Sequence, residues 1–168
     1  MPIVKFNRTL LIKMKELEIL EADFTNKKHC QAILDVTNRY AEDPMGMGNS
    51  LTDKTRSNLI DKMSRFPTTI CFIAFMDGEV AGVANCFYGF STFKAAKVLN
   101  IHDLAVMPRF RGRGIGEALL GTAEKKARDT DCCKVTLEVR EDNRARGLYE
   151  RYGFTYGEPT MYFMSKEL

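Results

Sequence analysis

The segment Arg111-Gly-Arg-Gly-Ile-Gly116 contains the residue types that bind an anion through backbone amides. Its glycines let neighbouring N–H groups turn toward one point, and a helix predicted to begin near Ile115 adds the unpaired amides and positive dipole end of its first turn. Arginines at positions 109, 111 and 113 add positive charge. The segment therefore predicts a site for a phosphate or pyrophosphate, which in a small protein usually belongs to a cofactor.

Other phosphate-binding loops do not fit this segment. It lacks the Gly-Lys-Ser/Thr of a P-loop, and it lacks the G-x-G-x-x-G and following acidic strand end of a dinucleotide site. A run of Arg and Gly can also bind RNA, but this run occurs once, inside a folded pattern, and the charges of the chain are interspersed around a net charge of +3. We therefore expect no nucleic-acid partner.

A second candidate for chemistry is the pair His102-Asp103, which interrupts an otherwise apolar strand-like run. Polar groups in such a run need a partner or a function. Imidazole titrates near neutral pH and is a common general base. Adjacent strand residues point to opposite faces, so only one of the pair is expected to face a substrate unless a β-bulge intervenes. In the alternative, Asp103 pairs with a nearby donor and His102 is a satisfied strand residue.

The elements that must position these residues follow from apolar periodicity and turn residues. Asp77-Gly78 marks a two-residue hairpin turn. A mixed α/β fold in a single domain over residues 1–168 is expected. Strands are predicted at 10–20, 69–76, 79–87, 98–106, 134–139, 154–156 and 160–165, and helices at 24–40, 52–65, 115–129 and 145–152.

The cysteines and the apolar stretches limit the class of protein. The cysteine count of 5 is odd, no C-x-x-C occurs, and Cys71 and Cys86 lie in apolar runs. Reduced, buried thiols in a cytoplasmic protein are therefore expected. His29-Cys30 has no metal-site spacing with other residues, so we expect no metal. No apolar stretch approaches the roughly 18 residues that span a membrane, so no membrane association is expected.

Two segments of the chain resemble the motifs of the GNAT superfamily of N-acetyltransferases. The first is Leu104-Ala-Val-Met-Pro-Arg-Phe-Arg-Gly-Arg-Gly-Ile-Gly-Glu-Ala-Leu-Leu120, and the second is Asn143-Arg-Ala-Arg-Gly-Leu-Tyr-Glu-Arg-Tyr-Gly-Phe154. The resemblance is specific from about residue 71 to 163, and weaker over the first two helices. It implies the GNAT fold, a mostly antiparallel central sheet of about seven strands flanked by four helices. It also implies acetyl-CoA as co-substrate.

The resemblance implies roles for the residues of both motifs. Backbone groups of Leu104 and Val106 would pair with the pantetheine arm like an added strand, and one amide there would polarise the acetyl carbonyl. Tyr149 would protonate the leaving thiolate, although without the motif it reads as a core tyrosine. Asn143 would contact the pantetheine, or act only as a helix cap. The implied cofactor-binding residues are Leu104, Ala105, Val106, Arg111, Gly112, Arg113, Gly114, Ile115, Gly116, Asn143 and Arg146.

The resemblance also bears on the base and on the acceptor. In polyamine-acetylating relatives an acidic pair occupies the places of His102 and Asp103, so the histidine here weakens a polyamine assignment. The loop between the first two helices commonly borders the acceptor site. Asp43 in that loop is therefore a candidate substrate-binding residue, with a solvated turn acid as the alternative. Phe90 belongs to a group of aromatic residues after the strand predicted at 79–87, and it is a second candidate, with a dimer contact as the alternative.

The function predicted from the sequence is transfer of an acetyl group from acetyl-CoA to a primary amine, by direct attack in a ternary complex. A small-molecule acceptor is preferred. One alternative is acetylation of a protein lysine or N-terminus, and another is a non-catalytic module that binds acyl-CoA. The sequence leaves a homodimer open.

Overall fold

The computed structural model describes residues 16–168. Its sheet has the strand order β1-β2-β3-β4-β5, antiparallel except for the parallel pair β4–β5. A short 3-10 turn, Pro108–Phe110, follows β4. The strands are β1 (Leu17–Glu21), β2 (Thr69–Met76), β3 (Glu79–Ser91), β4 (Ala96–Val106) and β5 (Cys132–Leu137), and the helices are α1 (Lys27–Glu42), α2 (Asp53–Arg65), α3 (Ile115–Asp129) and α4 (Arg146–Arg151).

Helices cover both faces of the sheet. Along β2, Ile70 and Phe72 pack in the cluster that contains α3, whereas Cys71 and Ile73 pack in the cluster that contains α1 and α2. Because both faces are buried, β2 reads as a continuous apolar run rather than as an alternating one. We call the second side of the sheet the α1/α2 face.

Local signals in the sequence set the ends of several elements. Asn26 accepts a hydrogen bond from the Lys28 amide at the start of α1, and Thr52 does the same for Thr55 at the start of α2. Asp77 and Gly78 both have positive φ, 53° and 81°, as a two-residue type I′ hairpin turn requires. The predicted hairpin is therefore confirmed.

The prediction of about seven strands is wrong for the described residues, which contain five. The predicted first strand, 10–20, lies partly outside them, and its described part forms β1. Segments 154–156 and 160–165 form no strand. Aromatic and apolar residues such as those of both segments are typical of strands, but a strand is stabilised by a paired neighbour and a buried face. Tyr162 and Met164 instead expose 87% and 88% of their surface.

The cysteines and the possible metal-ligating side chains can be located in the described residues. All five cysteines are free, and Cys71 and Cys86 are buried as predicted. Residues 16–168 hold no group of three or more His, Cys, Asp or Glu side chains arranged for a metal ion. None of the helices in this range has the length and apolar character needed to cross a bilayer.

Candidate active site

A β-bulge in β4 brings His102 and Asp103 to the same side of the sheet. Asp103 pairs with Asn85 of β3, but Ile101 pairs with the next residue, Cys86, so His102 is an extra residue in β4. The Asp103 carboxylate accepts a hydrogen bond of 3.0 Å from Asn85 Nδ2 on the α1/α2 face. The His102 ring packs edge-to-face against Phe87, with centroids 5.6 Å apart. Both side chains therefore lie on the α1/α2 face, as the bulge alternative predicted.

Asn85 is the buried polar residue that holds this arrangement. It is 2% exposed, and its side-chain amide donates to Asp103 and, at 3.3 Å, to Thr37 of α1. Its oxygen accepts from the Cys71 thiol at 3.1 Å. Because its hydrogen-bonding groups are satisfied, Asn85 fixes the Asp103 carboxylate against α1. The sequence analysis missed this residue, although a polar side chain inside the apolar run of β3 was the available signal.

Beyond the bulge, β4 has a free edge. The pairs between β4 and β5 end at Ile101 and Leu137, so the β4 backbone after Ile101 has a strand partner only in β3. Groups of an antiparallel strand alternate between its two edges. The Met107 amide donates to the Ala81 carbonyl of β3 at 2.8 Å, so by this alternation Leu104 and Val106 direct their N–H and C=O groups to the free edge. At this edge the family resemblance predicts that the pantetheine arm pairs with β4 like an added strand.

The free edge leads directly into the predicted anion site. Gly112 and Gly114 have φ of 74° and 77°, a conformation that other residues rarely adopt. Gly114 begins α3 without a side-chain cap, and the first amide to bond back to it is that of Ala118. The amides of Ile115, Gly116 and Glu117 therefore have no acceptor within the helix, and with the positive end of the helix dipole they form a site for an anion.

The three arginines beside this site have different surroundings. Arg109 forms an ion pair of 2.7 Å with Glu79, and both Arg109 and Arg113 lie over the Phe110 ring. Arg111 donates to the Val106 carbonyl at 3.1 Å and to Asp43 at 2.7 Å. The Arg111 guanidinium thus occupies the Val106 carbonyl at the free edge. A ligand that donates to the same carbonyl would have to displace the Arg111 side chain from it.

Asp43 and Phe90, the two predicted acceptor contacts, lie in different places. Asp43 lies in the loop after α1, where the amide of Met45, followed by Arg111, lowers the pKa of its carboxyl. It therefore adjoins the anion site. Phe90 lies near the end of β3, pairs with Lys97 and exposes 66% of its surface. The structure does not bring it to His102.

Tyr149 is buried in α4, on the other side of the free edge. Only 8% of its surface is exposed, and burial raises the pKa of its phenol to about 12. Its ring packs edge-to-face against Phe154. The Tyr149 phenol therefore keeps its proton at physiological pH and is available as a donor.

Tyr40, near the end of α1, lies close enough for its charge to interact with the Asp103 carboxylate and the Tyr149 phenol. Burial, and then the charges of Asp103 and Asp43, raise the pKa of Tyr40. The charge of Tyr40 in turn raises the pKa of Tyr149. Tyr40 therefore belongs to the site. Sequence analysis missed it because an aromatic residue on the apolar side of a helix gives no functional signal.

The second motif has mainly local contacts. Asn143 accepts from the Ala145 amide at 2.9 Å, which shapes the turn before α4. Arg146 donates to Tyr156 Oη and to the Glu141 carbonyl, both at 2.8 Å. The N-cap residue of α4 is Ala145, which has no side-chain cap hydrogen bond, so Asn143 shapes the preceding turn and does not cap the helix. Its contact with the pantetheine stays a prediction.

A cavity of about 850 Å³ opens on the α1/α2 face beside His102. Its walls include Leu59 and Met63 of α2 and Phe87 of β3. Such a volume is in the usual range of small-molecule sites. The free edge, the anion site, a protonated phenol and a cavity with a histidine at its wall together define a group-transfer enzyme with a phosphate-bearing co-substrate.

Comparison with known proteins identifies the family. The model of the Acetyltransferase (GNAT) family matches residues 30–154. The chain therefore belongs to the GNAT acetyltransferase family and is an N-acetyltransferase with acetyl-CoA as co-substrate.

Solved structures share the fold at low identity. A probable acetyltransferase has a TM-score of 0.77 and 20% identity, over 90% of this chain and 98% of the other. An aminoglycoside N-acetyltransferase in complex with CoA has a TM-score of 0.73 and 16% identity, over 94% and 99%. A ribosomal-protein-alanine N-acetyltransferase from Brucella melitensis biovar Abortus 2308 has a TM-score of 0.71 and 16% identity, over 90% and 100%.

Proposed function

We propose that this protein acetylates a primary amine of a small molecule by direct attack on acetyl-CoA in a ternary complex. The β4 bulge is the observation that carries the proposal. At this one point the free backbone edge of Leu104 and Val106 begins, while His102 and Asp103 turn to the cavity side. An acyl donor along the edge and an amine in the cavity would therefore meet there.

The residues of the chain fit a CoA thioester. The uncapped start of α3 and the two left-handed glycines offer amides for the pyrophosphate. The Leu104 and Val106 backbone offers donors and acceptors for the amides of the pantetheine arm. An N–H at this edge would also stabilise the negative charge that develops on the carbonyl oxygen during attack.

Proton transfer would be shared between two sides of the site. An ammonium must lose a proton before its nitrogen can attack, and we assign this proton to His102, with Asp103 holding the ammonium beforehand. As the C–N bond forms and the C–S bond breaks, the thiolate would take a proton from Tyr149. The raised pKa of Tyr149, about 12, keeps that proton on the phenol until the thiolate appears.

A small-molecule acceptor is favoured by the cavity, whose volume of about 850 Å³ suits a compact ligand. Fold neighbours act on both kinds of acceptor. One is described as an aminoglycoside enzyme and was also solved with a CoA-linked acetylneamine analogue, and another as a ribosomal-protein-alanine enzyme. Their identities of 16% transfer the fold and not the substrate.

The proposal is tested by mass spectrometry of reactions that contain the protein, acetyl-CoA and single amines. The amines are amino acids, polyamines, aminoglycosides and lysine peptides, and calorimetry measures CoA binding in parallel. An acetylated small amine supports the proposal. Acetylation of peptides alone would replace it with the protein-acetylating alternative, and CoA binding without any product would favour the non-catalytic module.

A further inference from the structure

The cavity beside His102 has an aromatic floor that extends away from the site of transfer. Phe87 packs edge-to-face against His102 on one side and against Phe66 on the other, with centroids 5.6 Å apart in both pairs. Leu59 and Met63 of α2 line the same cavity. Phe66 still exposes 55% of its surface there. An apolar or aromatic ligand body would cover this surface.

The charged residues that line the cavity are basic. Lys54 and Lys62 lie on α2 with Asn58 between them, at positions i, i+4 and i+8, so they form one stripe along the cavity. Eight residues of helix separate the two lysines by roughly 12 Å along the axis. No Asp or Glu of the described residues lines the cavity.

Nearby carboxylates do not neutralise this stripe from within the cavity. On α2, Asp61 forms an ion pair of 2.7 Å with Arg65, and Asp53 belongs to the first turn of the helix. On β4, Asp103 follows His102, and its carboxylate accepts a hydrogen bond from Asn85. The cavity therefore has a basic wall on α2, and the Asp103 carboxylate lies at the proposed point of transfer.

We propose that the acceptor is an amine with an aromatic or aliphatic body and a carboxylate, of the hydrophobic amino-acid type. This inference rests on the proposed function, since the same site must transfer the acetyl group. The ammonium would lie between Asp103 and His102, the apolar body over Phe87 and Phe66, and the carboxylate toward Lys54 or Lys62. Polycations such as polyamines and aminoglycosides would meet like charge at the α2 stripe.

The direct test compares three substrates that share a ring and an amine: phenylalanine, phenylalaninamide and phenethylamine. Acetylated product is measured by mass spectrometry to give kcat/KM, with spermidine and neamine as polycationic comparisons. We expect phenylalanine to exceed its amide by about fivefold or more, the effect of one partly exposed charge pair. The amide has the less basic amine and more of the reactive free base, so a preference for the carboxylate opposes the intrinsic reactivity.

Charge variants locate the origin of that preference. The double variant Lys54→Gln with Lys62→Gln should bring the ratio of phenylalanine to phenylalaninamide close to one. The control is Lys94→Gln, an exposed lysine between β3 and β4 outside the cavity lining, which should keep the wild-type ratio. A ratio within one variant is independent of how much of that variant is folded.

Each outcome has a separate meaning. Equal or better turnover of phenylalaninamide or phenethylamine, which lack the carboxylate, would overturn the anionic acceptor and leave acetyl transfer intact. Acetylation of spermidine or neamine in preference to phenylalanine would do the same. CoA binding without acetylation of any amine would overturn the proposed function and this inference with it. A carboxylate preference that persists in the double lysine variant would overturn the role of the α2 stripe.

Discussion

Tyr149 shows how burial prepares a side chain for one task. Its phenol lies in an apolar cluster, and burial, followed by the charge of Tyr40, favours the neutral form and raises the pKa to about 12. A phenol with this pKa is a weak acid that stays protonated at neutral pH until a strong base forms beside it. The same α4 helix carries Tyr152, whose hydroxyl donates to Glu124 at 2.9 Å. The two tyrosines therefore form a matched pair for mutation.

We predict that Tyr149→Phe lowers kcat by about 100-fold, a typical loss for one proton-transfer group, and leaves CoA affinity close to wild type. Steady-state kinetics and calorimetry with CoA measure the two quantities. Tyr152→Phe is the control, and its kcat should stay within about twofold of wild type because its hydroxyl faces Glu124. Unchanged turnover in Tyr149→Phe would remove this residue from the acid role.

His102 and Asp103 are distinguished by the pH dependence of kcat/KM. We predict that His102→Gln lowers kcat/KM by about 10-fold to 100-fold and changes the acidic limb of the profile, because glutamine cannot accept the proton. Asp103→Asn should raise KM for the amine more than it lowers kcat, because it removes the charge that holds the ammonium. A wild-type pH profile in His102→Gln, with the limb lost in Asp103→Asn, would exchange their roles.

At the residue level, the sequence located the glycines of the anion site and the polar pair in β4, because both interrupt a local pattern. It did not locate Tyr40, which comes near Asp103 and Tyr149 only through the packing of α1 on the sheet. It also did not locate Asn85, which meets Asp103 only through the register of β3 with β4. Such contacts depend on long-range geometry. Phe90 stood out as one of a group of aromatics, but it lies in the exposed part of β3.

At the scale of elements, the site depends on two departures from regular structure. The bulge at His102 rotates the following residues of β4, and the end of β4–β5 pairing opens the edge. The site also requires the left-handed conformation of Gly114, which begins α3 and leaves the amides of its first turn without acceptors. The glycine was predictable from the sequence. The position of the bulge was not, because a bulge is defined by the register with β3.

We predict that Gly114→Ala weakens CoA binding by about 10-fold. A methyl group at Gly114 meets nothing within 4 Å, so the effect comes from φ of 77°, which costs a residue other than glycine roughly 1–2 kcal/mol. The alanine loop would relax in the free protein and regain its conformation only on binding. Calorimetry measures the affinity.

Gly89→Ala is the control for this substitution. Gly89 lies in β3, also has open space around a built Cβ, and does not have positive φ. Its CoA affinity should equal that of wild type. Wild-type affinity in Gly114→Ala as well would mean that the loop conformation contributes nothing to binding.

The strands predicted after α4 show the limit of periodicity. Residues 160–165 include a short apolar and aromatic run of the kind found in strands, yet its side chains are exposed and its backbone pairs with no other strand. By contrast β2 to β4 were predicted because each has a buried face and a turn at its end. β3 and β4 nevertheless extend farther than predicted, to Ser91 and from Ala96, where exposed residues pair without an apolar signal.

For the whole molecule, buried groups that stay protonated make the fold sensitive to alkaline pH. Burial raises the pKa of the Cys71 thiol, and it raises that of Cys86 to about 12 and that of Tyr149 to about 12. Above an ordinary thiol pKa of 9.0, the unfolded chain loses these protons while the folded chain keeps them. The folded state then binds more protons, so the free energy of unfolding falls as pH rises.

We predict a loss of about 1 kcal/mol per buried thiol between roughly pH 9 and roughly pH 10, measured by urea unfolding under reducing conditions. Cys86→Ala should make this decline shallower, whatever its effect at neutral pH. Cys133→Ala, which removes an exposed thiol, should leave the slope unchanged. A decline of the same slope in all three proteins would show that buried thiols do not cause it.

The central claim is that one site binds acetyl-CoA and passes its acetyl group directly to an amine. The most direct measurement is a single-turnover reaction with isotopically labelled acetyl-CoA, in which mass spectrometry follows both the amine and the intact protein. The account predicts labelled acetyl on the amine and none on the protein at any time. Label on the protein before the product appears, or no transfer despite CoA binding, would contradict it.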